Sequence, residues 1–320
     1  MIRWGVVSTG RIAQQFAEDF RFVENGRIVA ATSRTAGNAR AYAHQYGIDT
    51  VYATYAEMLA DESIDAVYIA SPHTLHLEQT LSAIAAGKAV LCEKPITVEP
   101  GQCERIIAAA ADASVYVMEA MWTWFLPAIQ KAKQWVDEGR IGKLVQVRAD
   151  FGYPILPYAP DKREYDAALG GGALLDMGIY PVALLWLFLG RQPVGLEVMS
   201  RHAPNGVEDD VVAILDYEDC LATIGTSFRC KLNNGAYLVG ENGLIVIPDF
   251  WRAGACHLYE LDELKDSFSD PRRSQGLNFE TQAVIDDLLA GRRQSPVVPL
   301  AASLEFQRTM EAIRAKFTAK

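Results

Sequence analysis

Positive charge is in deficit in this chain of 320 residues: 30 Lys and Arg stand against 40 Asp and Glu, a net charge of -10 at pH 7. Nucleic acids and anionic membranes reward basic surfaces, so neither is expected as the main partner, and a small molecule fits better. Cysteine is scarce. Cys92, Cys103, Cys220, Cys230 and Cys256 are an odd number without a CxxC pair, which argues against a disulfide framework and predicts reduced thiols in a cytoplasmic setting. Long apolar runs are missing too. The most apolar segment, ALLWLFLG at 183–190, is too short to span a bilayer. The first glycine, at residue 5, leaves no room for the apolar core of a secretion signal. There is no internal repeat, low-complexity tract or long linker. What remains is ordinary globular composition, 50% apolar and 22% charged, in a chain long enough for about two domains.

From residue 2 to about 120, short β-branched runs (IRWGVVS, RIVAATS, AVYIAS, AVLCE, VYVME) alternate with helical stretches such as LHLEQTLSAIAAGK. That alternation predicts βαβ units, an α/β fold with a parallel sheet over residues 1–120. The texture then changes. In LVQVRADF, Val145, Val147, Ala149 and Phe151 alternate with Gln146, Arg148 and Asp150, and further period-two strands suit an antiparallel sheet. Residues 121–320 therefore read as an α+β domain, with helical patterns at 170–189, 278–291 and 300–317. The last of these helices are free to pack back on the first domain.

WGVVSTGRIA places a strand, a tight turn and a helix start within ten residues. In a dinucleotide fold such a turn lets backbone N–H groups approach a pyrophosphate at a helix N-terminus. Ser8, Gly10 and Ala13 fill the three glycine slots of G-x-G-x-x-G, so the turn Ser8, Thr9, Gly10, Arg11, Ile12 is a weak match that an ordinary βα turn also satisfies. About 20 residues further on, where an NAD site carries an acid, the chain has Ser33 and Arg34. A hydroxyl and a guanidinium suit a 2′-phosphate, which favours NADP over NAD.

AVLCEKP, at 89–95, delivers Lys94 to the carboxyl end of a buried strand, where ligands bind in open parallel sheets. A lysine there either works or pairs, and Glu93 is an available partner. Pro95 biases Lys94 away from helical geometry. GGGALLDMGIYPV, at 170–182, supplies a second piece: in a helix starting after Gly172, Asp176 and Tyr180 fall four apart on one face, with Gly178 removing bulk and Pro181 distorting the helix. Such a pair is either structural or holds a substrate hydroxyl and exchanges its proton. A tyrosine titrates near 10, and a neighbouring ammonium lowers that by about 1 to 3 units, within reach of general base work.

Together the degenerate glycine turn, AGKAVLCEKP and a D-x-G-x-[HY] signature resemble the Gfo/Idh/MocA oxidoreductase family. Its dihydrodiol dehydrogenase and NADP-dependent D-xylose dehydrogenase branch is most similar, through WGVVSTGRIA, MEAMWT, GGGALLDMGIYPV and SPVVPL. The resemblance implies an N-terminal Rossmann domain, a doubly wound parallel sheet, and a C-terminal domain on an open-faced, mostly antiparallel sheet that often dimerises. It implies that Lys94 orients the substrate oxygen, Tyr180 transfers the proton and Asp176 binds substrate, a sugar or cyclic diol. It also implies that Ser71, His73 and His76, in SPHTLHLE, border the nicotinamide ribose together with Glu93 and Lys94. Two histidines three apart without a third ligand do not make a metal site. Trp122, Phe151, Trp251 and Phe279 are either core or pocket residues, and the branch places them at the substrate. Where the branch often has Arg after MEAMWT, this chain has Trp124. Two other classes stay open: a dinucleotide-sensing regulator, which need not keep Lys and Tyr, and a redox-neutral sugar enzyme that regenerates a tightly bound cofactor.

Overall fold

A computed structural model describes residues 1–317 and divides them into two compact units. The first unit takes residues 1–122 and 273–304. Its strands are β1 (Ile2–Val7), β2 (Gly26–Thr32), β3 (Thr50–Tyr52), β4 (Ala66–Ile69), β5 (Ala89–Glu93) and β6 (Val117–Ala120). Helices α1 (Arg11–Asp19), α2 (Ala36–Tyr46), α3 (Tyr55–Leu59), α4 (His76–Ala85) and α5 (Pro100–Ala113) fill the connections. Every strand pair is parallel, in the order β3-β2-β1-β4-β5-β6. That is the doubly wound dinucleotide order, whose direction reverses between β1 and β4. Strands β4 and β5 are buried along their whole length because helices cover both faces of such a sheet.

The second unit takes residues 123–272 and the stretch from Glu305. It contains α6 (Pro127–Asp137), β7 (Leu144–Gly152), α7 (Ile179–Leu189) and strands β8 (Gly195–His202), β9 (Glu208–Asp216), β10 (Leu221–Ser227), β11 (Ala236–Gly240), β12 (Leu244–Ile247), β13 (Ala255–Glu260) and β14 (Glu263–Ser269). These eight strands make one sheet, antiparallel throughout except where β7 pairs parallel with β10. Helix α7 packs on β7 and β10, over Val147, Ala149 and Phe151, which are buried as their alternation predicts. Val145 keeps the same parity but is 42% exposed at the start of the strand. On the other face Met199 lies opposite Val212 in register, and both are exposed together with Ile214 and Leu221.

Two helices complete the described chain, α8 (Leu277–Leu289) and α9 (Leu300–Arg314). Helix α8 belongs to the first unit, so the assignment of everything after residue 120 to the second domain is revised. Asp19, at the end of α1, accepts the N–H groups of Gln275, Gly276 and Leu277 at 2.8–2.9 Å and so holds the start of α8. Residues 167–189 do form a helical stretch long and apolar enough to cross a bilayer, longer than 183–190 because the preceding turns continue it, but 72% of its most apolar window is buried inside the protein.

Candidate active site

In the first unit the candidate residues gather at the carboxyl ends of the parallel strands. Ser8 leaves β1 with φ of 80°, a left-handed conformation that explains why glycine is common at this slot and why serine is tolerated only at a cost of about 1 kcal/mol. Its N–H donates to Thr32 O at 2.9 Å, and Thr9 Oγ1 donates to Ser33 Oγ at 3.4 Å, so the turns after β1 and β2 are tied together. Gly10 caps α1 without a side-chain hydrogen bond, and no acid stands in the first turn that includes Arg11 and Ile12. A Cβ at Gly10 would meet only Ser8 Oγ, at 4.0 Å. Neither its φ of -69° nor protein packing calls for glycine, while an anion brought against the helix N-terminus would use the space. Arg34 is exposed and makes no hydrogen bond or ion pair among the described residues.

Lys94 follows β5 directly and is half-buried, its peptide bond to Pro95 being cis. The backbone after it is held from two sides. Glu119 Oε1 accepts the N–H of Ile96 at 2.8 Å, and His76 Nδ1 lies 2.8 Å from Pro95 O. The other ring nitrogen of His76 lies 2.8 Å from Ser71 O. Fully buried, with each ring nitrogen 2.8 Å from a backbone carbonyl, His76 ties the loops after β4 and β5. His73 is buried beside it, ring centroids 5.8 Å apart. Ser71 Oγ donates to Gln79 Oε1 at 2.5 Å. Glu93 is buried and accepts a 2.5 Å hydrogen bond from Tyr68 Oη. Burial, with the charge of Glu93 next, pushes the Tyr68 phenol well above its ordinary value.

In the second unit Asp176 does not sit on an α-helix as the spacing predicts. Leu174–Gly178 is a π-helical turn, and α7 begins only at Ile179. Pro181 has no N–H to donate, and it falls in the first turn of α7, directly after the π-helical turn. Gly178 admits β10, since a Cβ there would lie 3.2 Å from Thr226 Cγ2. Tyr180 is buried in an aromatic group, edge-on to Phe151 at 5.2 Å and to Trp251 at 6.2 Å, while Phe151 and Trp251 stack at 4.7 Å. Tyr153 meets the same pair edge-on.

Asp176 accepts from Arg163 Nη2 at 3.0 Å, and Arg163 also reaches Glu164 at 3.5 Å. The turn carrying Arg163 is packed backbone to backbone on Gly171, where a Cβ would lie 2.8–2.9 Å from Glu164 O, Arg163 O and Asp166 N. Sequence reasoning missed Arg163, which sits in a charged stretch without periodicity. Of the remaining candidates, Trp122 is 7% exposed and Phe279 is half-buried on α8, both in the first unit. Trp124 is core: it is 4% exposed and packs edge-on to Phe306 at 5.4 Å.

Comparison with known proteins agrees with this layout. A family model described as an oxidoreductase family with an NAD-binding Rossmann fold matches residues 2–121, and the GFO/IDH/MocA C-terminal domain matches residues 129–246. The trans-1,2-dihydrobenzene-1,2-diol dehydrogenase of Mus musculus is 33% identical over 98% of this chain and 96% of its own. Among solved structures, a 3-ketoreductase from Actinomadura kijaniata in complex with NADP and TDP-benzene is 28% identical with a TM-score of 0.86, covering 98% of this chain and 97% of that one. An aldose-aldose oxidoreductase from Caulobacter crescentus complexed with glycerol is 25% identical with a TM-score of 0.88 over the same shares.

Proposed function

The chain belongs to the Gfo/Idh/MocA oxidoreductase family, and from that premise we propose that it is an NADP-dependent dehydrogenase or reductase of a sugar or cyclic diol. The observation that carries this reading is the open cradle at Gly10 on an uncapped helix start, with Ser33 and exposed Arg34 closing the neighbouring strand. Ser8, Thr9, Gly10, Arg11 and Ile12 would hold the pyrophosphate, and Arg34 the 2′-phosphate. Bound NADP would supply a nicotinamide carbon that exchanges hydride with a secondary alcohol, hemiacetal or ketone carbon. Tyr180 exchanges the hydroxyl proton of that carbon, Lys94 orients the oxygen and favours the phenolate, and Asp176, fixed by Arg163, holds the substrate. Phe151 and Trp251 shape an apolar wall beside Tyr180.

NADPH oxidation over a panel of aldoses, ketoses and trans-1,2-dihydrobenzene-1,2-diol with its ketone counterparts tests the reading, and cofactor binding without any turnover points to the regulator instead. The name of the Caulobacter relative favours one second reading, a redox-neutral exchange between sugars; turnover without added cofactor is its mark. Arg34→Ala is expected to weaken NADP binding by about tenfold to a hundredfold, the worth of a charge-assisted hydrogen bond, and to leave NAD binding unchanged. Isothermal titration with both nucleotides decides it, and equal losses would remove Arg34 from the 2′-phosphate.

We also assign a homodimer to the uncovered sheet face, because Met199, Val212, Ile214 and Leu221 leave apolar area exposed on adjacent strands. Ile214→Glu is expected to sediment as a monomer where the natural chain sediments as a dimer; an unchanged dimer would place the interface elsewhere. Four of the five cysteines are buried, and no disulfide is formed among the described residues, which supports a reducing cytoplasmic compartment.

A further inference from the structure

In the second unit, strand β11 begins beside β7 at Ala236, opposite Ala149. Just before it, Gly235 O accepts the N–H of Asp150 at 3.2 Å. At Asn234 the backbone is left-handed, with φ of 59°, a conformation that asparagine tolerates better than most side chains. The next amide on that edge of β7, that of Gly152, is met by a side chain instead of a ladder carbonyl: it donates to Asn234 Oδ1 at 3.0 Å. The main-chain carbonyl of Asn234 accepts the N–H of Phe250 at 3.0 Å. Gly152 follows Phe151, and Phe250 precedes Trp251. One fully buried residue therefore ties together the two segments whose rings stack at 4.7 Å beside Tyr180. Asn234 Nδ2 is buried without a hydrogen-bond partner among the described residues, so the side chain is held through its oxygen.

We propose that Asn234 is a positioning residue for the aromatic wall beside Tyr180: it pins the end of β7, which carries Phe151, to the turn that carries Trp251, and so keeps the two rings stacked. The proposal deepens the functional reading above and rests on it for its meaning in substrate binding. Two rings present one continuous apolar face only while their planes stay close to parallel, and here they differ by 22°. A sugar or cyclic diol lays its C–H face on such a surface, and rings that separate lose contact area and admit water. Phe151 and Trp251 come from segments far apart in the chain, and Asn234 bonds to both. Trp251 lies in a single turn, Phe250–Arg252. Thr123 Oγ1 donates to Trp251 O at 2.7 Å and holds that turn independently. Losing the Asn234 side chain is therefore expected to shift the rings rather than to unfold the turn.

Asn234→Gly keeps the left-handed backbone and the carbonyl that serves Phe250, and deletes the oxygen that serves Gly152. The test uses the full chain and reads near-ultraviolet circular dichroism beside steady-state rates for trans-1,2-dihydrobenzene-1,2-diol and D-xylose with NADP. The Trp251 band is the difference made by Trp251→Phe, taken in the natural chain and again in the Asn234→Gly background. In Asn234→Gly the band is expected to lose most of its amplitude. KM for the probe that is turned over is expected to rise about tenfold, the consequence of a buried donor left without an acceptor, while kcat and NADP affinity stay within about twofold. Asn234→Asp restores an oxygen at the same reach and is expected to bring back the band and the substrate affinity. An unchanged band in Asn234→Gly overturns the proposal, and so does a lost band with an unchanged KM. A KM rise matched by an equal loss of NADP affinity also overturns it, since that marks general loosening. If Asn234→Gly does not fold, Asn234→Asp decides alone: a natural Trp251 band supports the proposal and a lost one overturns it. Failure of the natural chain to turn over either probe counts against the functional reading, and the Trp251 band then decides the role of Asn234.

Discussion

Tyr180→Phe is expected to lower turnover by about a hundredfold to ten-thousandfold, the usual worth of a positioned acid or base, while NADP affinity stays within about twofold. The side chain is buried among aromatic rings, edge-on to Phe151 at 5.2 Å and Trp251 at 6.2 Å. Phenylalanine keeps those contacts, so the fold is not expected to suffer. Only the hydroxyl is lost, and with it the proton. Lys94→Met is expected to cost a similar factor, because the group proposed to orient the substrate oxygen is lost. Removing both should cost little more than removing either, since groups that act as a unit are not additive. Steady-state rates on whichever sugar or diol proves to be the best substrate, beside nucleotide titrations, check the result. Turnover within twofold of the natural chain for either variant would defeat the proposed chemistry.

Replacing Glu280 by methionine is expected to stabilise the protein, and more so as pH rises. Both carboxyl oxygens of Glu280 are buried without a hydrogen-bond partner among the described residues, a burden of about 1–3 kcal/mol that an apolar side chain of similar volume removes. The pH dependence follows from proton binding. The folded protein keeps the Glu280 proton far above 4.5, where the unfolded chain releases it. Stability is therefore full below about pH 4.5 and falls by roughly 1.4 kcal/mol per pH unit until the folded carboxyl ionises. Glu119, raised to about 7, adds a loss of its own between pH 4.5 and 7, totalling about 3 kcal/mol. Glu280→Met removes the first slope and leaves the second. Denaturant unfolding at pH 5 and pH 8 should show the gap between variant and natural chain widening at the higher pH. A constant gap would mean that Glu280 is ionised in the folded state.

Both predictions concern groups that the sequence revealed unequally. Lys94 was visible because a charge at the end of a buried apolar run has to be explained. The same rule applies to Glu119, which follows an apolar run and stands within MEAMWT, yet it was not singled out there. Glu280 stands between Leu277 and Val284 on the apolar side of α8, a signal available to periodicity. Arg163 had none. Its pairing with Asp176 depends on a loop that only Gly171 allows to pack so closely.

By itself the sequence determined the period of the strands and helices named at the outset, apart from the turn before Tyr180, together with the parallel and antiparallel halves, the tight turn after β1 and the arrival of Lys94 at a strand end. These follow from near-neighbour spacing, which fixes which side of a strand or helix each residue faces. Only the tertiary structure decided that residues 273–304 join the first unit, that the turn before Tyr180 is π-helical, and that His76 bridges two carbonyls. Such facts depend on strand register and on packing between residues distant in the chain. Local periodicity carries no information about either.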